Sequence, residues 1–287
     1  DYFRVDIEPT AGANILMVGE LDNLRDSVVT HSVCGFLMNP QTKVIANFID
    51  EQNLDRKRLI DILRNLRSTR FEIRVGVNAV MKTIRSLQKI HLTYGSNTVY
   101  LWYGLDKLKN AIFLKIQDDE EEDNLMDNIS LPSPDRIQLD IPKDKLLDFI
   151  KQLDVTSDIY SMPIINDCKG SKELDELLSY EQCISILKTA YDAGPENGHF
   201  HMVVFNNMKS LKRMKLIERS SFEHIVATKI SMDDAYDLFG TGSAIKKADN
   251  DTIVYSSGGD KVTLLRPYVL PAKTWFNKFN QALEFAE

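Results

Sequence analysis

The feature that most constrains this chain is a strand of alternating side chains followed without a break by an amphipathic helix. From Arg70, RFEIRVGV alternates apolar and polar residues, and NAVMKTIRSLQK then adds Val80, Met81, Ile84 and Leu87 to Val77 on one helical face. Only a sheet packed against helices buries both patterns at once. IHLTY, a YGSN turn, TVYLWY, a GLDKLKN connection and AIFLKIQ follow, and they read as an antiparallel strand series.

The same order recurs. RIQLDI and PKDKLLDFIKQL, from Arg136, form a second strand and helix, with Pro142 in the first turn and Leu146, Phe149, Ile150 and Leu153 as the buried stripe. A third unit is FEHIVATKI, a short helix SMDDAYDLFG capped by Ser231, SAIKKAD, TIVYS, a GGD turn and KVTLLRPYVL. The start is a looser fourth, with FRVDIEP, a helix from about Ala13 to Asp26, then strands VVTHSVCGFLM and KVIANFI. Four units in two pairs predict an α+β chain of two similar domains, 1–117 and 136–287. The polar stretch DDEEEDNLMDNISLPSPD (118–135) joins them, and its six acids Asp118 to Asp123 read as a solvated segment rather than a cation site. LDRKRLIDILRNLRS (54–68) reads as an added basic helix and the region near 170–194 as a longer one. After Lys273, Trp275, Phe276, Phe279 and Leu283 recur at helical spacing. That tail either packs as a C-terminal helix, fills a groove of its own chain or binds a partner.

Composition bounds the function. With 43% apolar residues in 287, a substantial core is expected. No apolar run reaches membrane-spanning length and DYFRVDIEPT has no signal-peptide pattern, so an intracellular protein is expected; the missing Met suggests that a few residues precede it. Cys34, Cys168 and Cys183 are too scattered for a disulfide framework and read as reduced packing thiols. The net charge of −7 argues against nucleic acid unless basic residues are gathered on one face.

The run GVN-helix-IHLTYGSNTVYLWY, the connector ISLP and the terminal KVTLLRPYVLPAK resemble the DNA sliding clamps related to proliferating cell nuclear antigen. The resemblance implies a homotrimeric ring, antiparallel sheets outside and helices lining a hole that admits double-stranded DNA. Such a ring is a polymerase processivity factor without enzymatic activity or cofactor, opened by an ATP-driven clamp loader, and found at sites of replication in the nucleus or cytoplasm. Ring closure would pair GLDKLKNAIFLKI with the strand region near 199–219.

On the inner helices the implied DNA contacts are Lys82, Arg85 and Lys89, then Lys143, Lys145 and Lys151, then Lys246 and Lys247. Asp144, Asp148, Asp233, Asp234 and Asp237 depart from a basic lining, so either the inner field is weak or Arg56 to Arg58 supply the contacts. The implied docking groove for polymerase and other partners comprises Met38, Ile129, Leu131, Pro132, Tyr268, Val269, Leu270, Pro271 and Ala272.

Other classes have less to stand on. GxxxxGK, GxGxxG after a strand, HExxH and GxSxG are all absent. His199 and His201 share a strand face and could hold a metal with a carboxylate, or simply lie on the strand surface. GTGS (240–243) reads as a helix stop. A subunit of a checkpoint or transcription clamp, or a scaffold of the same sheets, remains the alternative.

Overall fold

Apolar runs without alternation decide the architecture. ILMVG, HFHMVVF and HIVAT are buried along their whole length, as strands inside a parallel sheet are. The computed structural model describes residues 7–20, 23–49, 54–88, 97–115, 178–214, 218–242, 251–258 and 261–285. These form one eight-stranded mixed sheet with helices, in strand order β3-β2-β4-β5-β1-β6-β7-β8.

In chain order the elements are β1 (Ile15–Gly19), α1 (Asn23–Leu37), β2 (Thr42–Phe48), α2 (Leu54–Leu63), β3 (Phe71–Val75), α3 (Val77–Leu87) and β4 (Asn97–Tyr103). After a helical stretch over 108–115 come α4 (Tyr180–Ala193), β5 (His199–Phe205), α5 (Met208–Arg213), β6 (His224–Thr228), α6 (Met232–Phe239), β7 (Ile253–Ser257), β8 (Lys261–Leu265) and α7 (Lys273–Glu284). Strands β1 to β6 pair in parallel, and β7 and β8 extend the sheet antiparallel beside β6. Successive side chains of one strand enter opposite layers. Leu16 and Val18 pack with α3, α4 and α6, whereas Ile15 and Met17 pack with α1, α2 and α7.

The coarse expectation of an α+β chain holds, but the finer clamp architecture does not. β5, from the C-terminal half, lies between β4 and β1 of the N-terminal half, so one sheet runs through both expected domains. Parallel neighbours need crossover connections, and the helices that make them cover both faces. The two ring-closing edges fail for the same reason: 108–115 is helical, and β5 is paired on both sides. The opening was misplaced too. Residues 15–19 are a strand, and VVTHSVCGFLM falls largely within α1, whose buried side adds Arg25, Asp26, Ser27 and Thr30 to Val29, Val33, Cys34 and Leu37 and so blurs the apolar stripe. The connector 118–135 and the unit from Arg136 to Leu153 lie outside the described residues.

Other elements stand as read. β3, at the sheet edge, alternates in burial; α3 follows it; Ser231 caps α6 by accepting from Asp234 N at 3.1 Å; Gly240 ends that helix at φ 69°. A capping box of Ser179 and Gln182 opens α4. The tail packs as a C-terminal helix. Phe276 and Leu283 are buried, and Asn280 accepts from Arg67 N at 2.9 Å and donates to Asn65 O at 2.8 Å.

Candidate functional site

In an open parallel sheet, adjacent strands whose chains leave to opposite faces open a crevice at their C-terminal ends. β1 continues into α1 on one face and its neighbour β5 into α5 on the other. The crevice therefore lies beyond Gly19 and Phe205, with Tyr103 at the end of β4 on the far side of β5.

Arg25, in the first turn of α1, fills the space between these strand ends. Its side chain is fully buried; Nη1 donates to Asn206 Oδ1 at 2.9 Å, Nη2 donates to Tyr103 OH, and Cζ lies 5.0 Å from the Tyr103 ring centroid. Asp26 beside it is equally buried, with Oδ1 3.4 Å from Arg25 Nη2. From α2, Arg58 donates to Asp26 Oδ2 through Nε at 2.9 Å and Nη2 at 2.5 Å. Burial pushes the Asp26 carboxyl above its ordinary value, and Arg25 and Arg58 pull the other way.

Close packing fixes the neighbouring strand end. A Cβ on Gly19 would lie 1.9 Å from Thr228 Oγ1 and 2.5 Å from Thr228 O, so no larger residue fits there without a shift. After β6, Lys229 takes a left-handed φ of 47°, uncommon for a residue with a side chain.

A phosphate loop is also a strand, a glycine-bearing loop and a helix, with Lys six positions after its first Gly. Arg25 stands six positions after Gly19, with Leu24 at the place of the second Gly and Asp26 at that of the hydroxyl residue. A search for GxxxxGK therefore passes over this segment. The signal that finds it is positional: an apolar run ending in Gly, then a helix with a basic residue in its first turn.

Of the expected DNA contacts, the two among the described residues lie away from this crevice. Lys82 is exposed and Arg85 half-buried on α3, in the layer opposite α1. Lys89, Lys143, Lys145, Lys151, Lys246 and Lys247 lie outside the described residues, as do Ile129, Leu131 and Pro132 of the docking groove. Met38, just beyond α1, is 51% exposed, and Tyr268 and Val269 are exposed ahead of Leu270 to Ala272 and α7. Tyr268 is brought to α1, where Ser27 Oγ donates to its carbonyl and its ring lies 5.5 Å from that of His31.

His199 and His201 are buried rather than on a strand surface. Trp102 Nε1 donates to His201 Nδ1 at 3.0 Å, which leaves the His201 proton on Nε2. Burial, then His199, lowers the His201 pKa to about 3. Among the described residues no group of three or more His, Cys, Asp or Glu could hold a metal. Burial also raises Cys34 to about 12 and Cys183 to about 11, as suits thiols that only pack.

No family model and no curated protein matches this chain. Among solved structures it is similar to the cytoplasmic domain of the type VII secretion ATPase EccC of Thermomonospora curvata, at 8% identity over 98% of this chain and 29% of that one, TM-score 0.46. The DNA-packaging ATPase B204 of Sulfolobus Turreted Icosahedral Virus has 7% identity over 92% of this chain and all of that one, TM-score 0.49. EssC (ATPases 2 and 3) of Geobacillus thermodenitrificans has 13% identity over all of this chain and 45% of that one, TM-score 0.44. This chain thus spans less than a third of the EccC chain. The expectation of a non-enzyme is corrected here. That expectation came with the clamp architecture, and the single mixed sheet removes its basis.

Proposed function

We propose that this chain is an ATPase-type domain whose phosphate-side crevice is latched by its own Arg25. The observation that carries the reading is the buried guanidinium at the start of α1, held by Asn206 and Tyr103 from the ends of β5 and β4. A helix start favours anions, and a guanidinium matches phosphate oxygens in two directions. In the latched state Arg25 meets its own protein's acceptors instead. A nucleoside triphosphate would compete for those hydrogen bonds, so its apparent affinity falls by the fraction of molecules in which the latch is open.

The test is MgATP binding by calorimetry. Tyr103→Phe removes the hydroxyl that Arg25 donates to. A hydrogen bond to a charged group contributes about 1.5–3 kcal/mol, so binding should tighten about 10-fold or more. Arg25→Ala should abolish it. If neither the wild type nor Tyr103→Phe binds MgATP, or if Arg25→Ala binds as the wild type does, the reading is wrong.

A further inference from the structure

We infer that the cavity between α5 and the first turn of α6 is a second, separate site, for a small phosphate ester held by Lys209 and Arg213. The cavity measures about 430 Å³ and is lined by Asn207, Met208, Lys209, Lys212, Arg213 and Asp234. That volume lies in the range of small-molecule sites, and the lining is more basic than acidic.

The three cations are not equivalent. Lys212 is already matched, with Nζ 2.5 Å from Asp237 Oδ2 and 3.6 Å from Asp234 Oδ1 on α6, and those partners raise its pKa. Lys209 and Arg213 are exposed, and neither has an ion pair among the described residues. Their charge is available to an incoming anion.

The wall that carries them is fixed. Asn207 Oδ1 accepts from Ser210 N at 2.8 Å, Ser210 Oγ donates to Asp106 Oδ2 at 3.1 Å, and Met208 and Met214 are buried at the two ends of α5. Asn207 keeps its NH2 group as a further donor. Arg213 offers a planar fork and Lys209 a point charge, a pairing suited to phosphate oxygens. Asp234 narrows the choice. Its carboxylate repels a bare polyanion but accepts from hydroxyl groups, so the ligand is a phosphate on a hydroxyl-bearing body.

Calorimetry at fixed ionic strength with pyrophosphate, ribose 5-phosphate and AMP tests this on the full chain. Saturable binding of ribose 5-phosphate is expected, weakened at least tenfold in the double variant Lys209→Ala/Arg213→Ala and strengthened several-fold in Asp234→Asn, with pyrophosphate weaker. AMP tighter than ribose 5-phosphate assigns the site to a nucleoside phosphate, and equal affinities assign it to a sugar phosphate. Tyr103→Phe should leave this binding unchanged, which separates its fate from that of the Arg25 latch. Both basic side chains are exposed, so unaltered thermal unfolding of the double variant is part of the expectation. No saturable binding, or equal affinity in the double variant, overturns the site.

Discussion

Strands β4 and β5 carry two buried polar clusters built to opposite rules. Midway along them, Tyr100, Trp102, His199 and His201 stack with ring centroids 5.2–6.2 Å apart, and Tyr191 of α4 meets His201 edge-on at 5.0 Å. That cluster is neutral: burial holds the imidazole of His201 uncharged, and Asn14 completes it by accepting from His201 N at 2.9 Å. At the C-terminal ends of the same strands, Tyr103 and Asn206 hold a buried guanidinium, and Asp26 and Arg58 add two more charges. Midway along these strands the buried polar side chains are held in neutral form. The strand ends, where backbone leaves the sheet, accommodate ions that a ligand could displace.

Breaking the charged cluster should have the largest effect. Asp26→Ala leaves the Arg25 guanidinium buried without its carboxylate, and removal of one partner from a buried pair costs about 3–5 kcal/mol. Urea unfolding at pH 7 measures it. A loss below about 1 kcal/mol would mean that Arg25 does not depend on Asp26, and the contrast with the neutral cluster would collapse.

The neutral cluster should answer to pH instead. The unfolded chain protonates His201 near its ordinary 6.5, while the folded chain keeps it neutral down to about 3. Its contribution is therefore complete above pH 6.5 and is lost as pH falls, by about 1.4 kcal/mol per unit. His224, also lowered chiefly by burial, adds a slope of the same sign. His201→Gln should flatten the decline in unfolding free energy between pH 6 and 4, leaving the His224 part. An unchanged slope would show that His201 is charged in the fold.

The smallest effect sharpens the comparison from outside. Lys188 Nζ lies 2.7 Å from Glu218 Oε1, close to the 2.5 Å of Arg58 and Asp26 in the crevice but between two exposed side chains. Lys188→Ala should not measurably change thermal unfolding, because solvent screens an exposed pair. A clear loss there would mean that distance rather than burial sets the strength of these pairs.

The clearest local signals were legible. The alternation of RFEIRVGV, the stripe of α3, the Ser231 cap and the Gly240 stop each depend on near neighbours in the chain, and each is where its pattern placed it. The fully apolar runs misled, because ILMVG and AIFLKIQ carry no period that separates strand from helix, and one is β1 while the other lies largely in the helical stretch 108–115. The crevice was the least legible part. Arg25 and Asp26 fell at the end of the helix expected from about Ala13 to Asp26, and nothing local announces that Asn206, 181 positions away, receives the guanidinium.

By itself the sequence determined the elements with a clear period, the Ser231 cap and the Gly240 stop, and a core large enough to cover both faces of a sheet. Strand order was decided only in three dimensions. Setting β5 and β6 on either side of β1 joins segments some 200 residues apart, and that pairing is chosen by which buried runs fill both layers at once. The candidate site follows from that choice, since a crevice exists only where neighbouring strands send their chains to opposite faces, and no single segment encodes its neighbour.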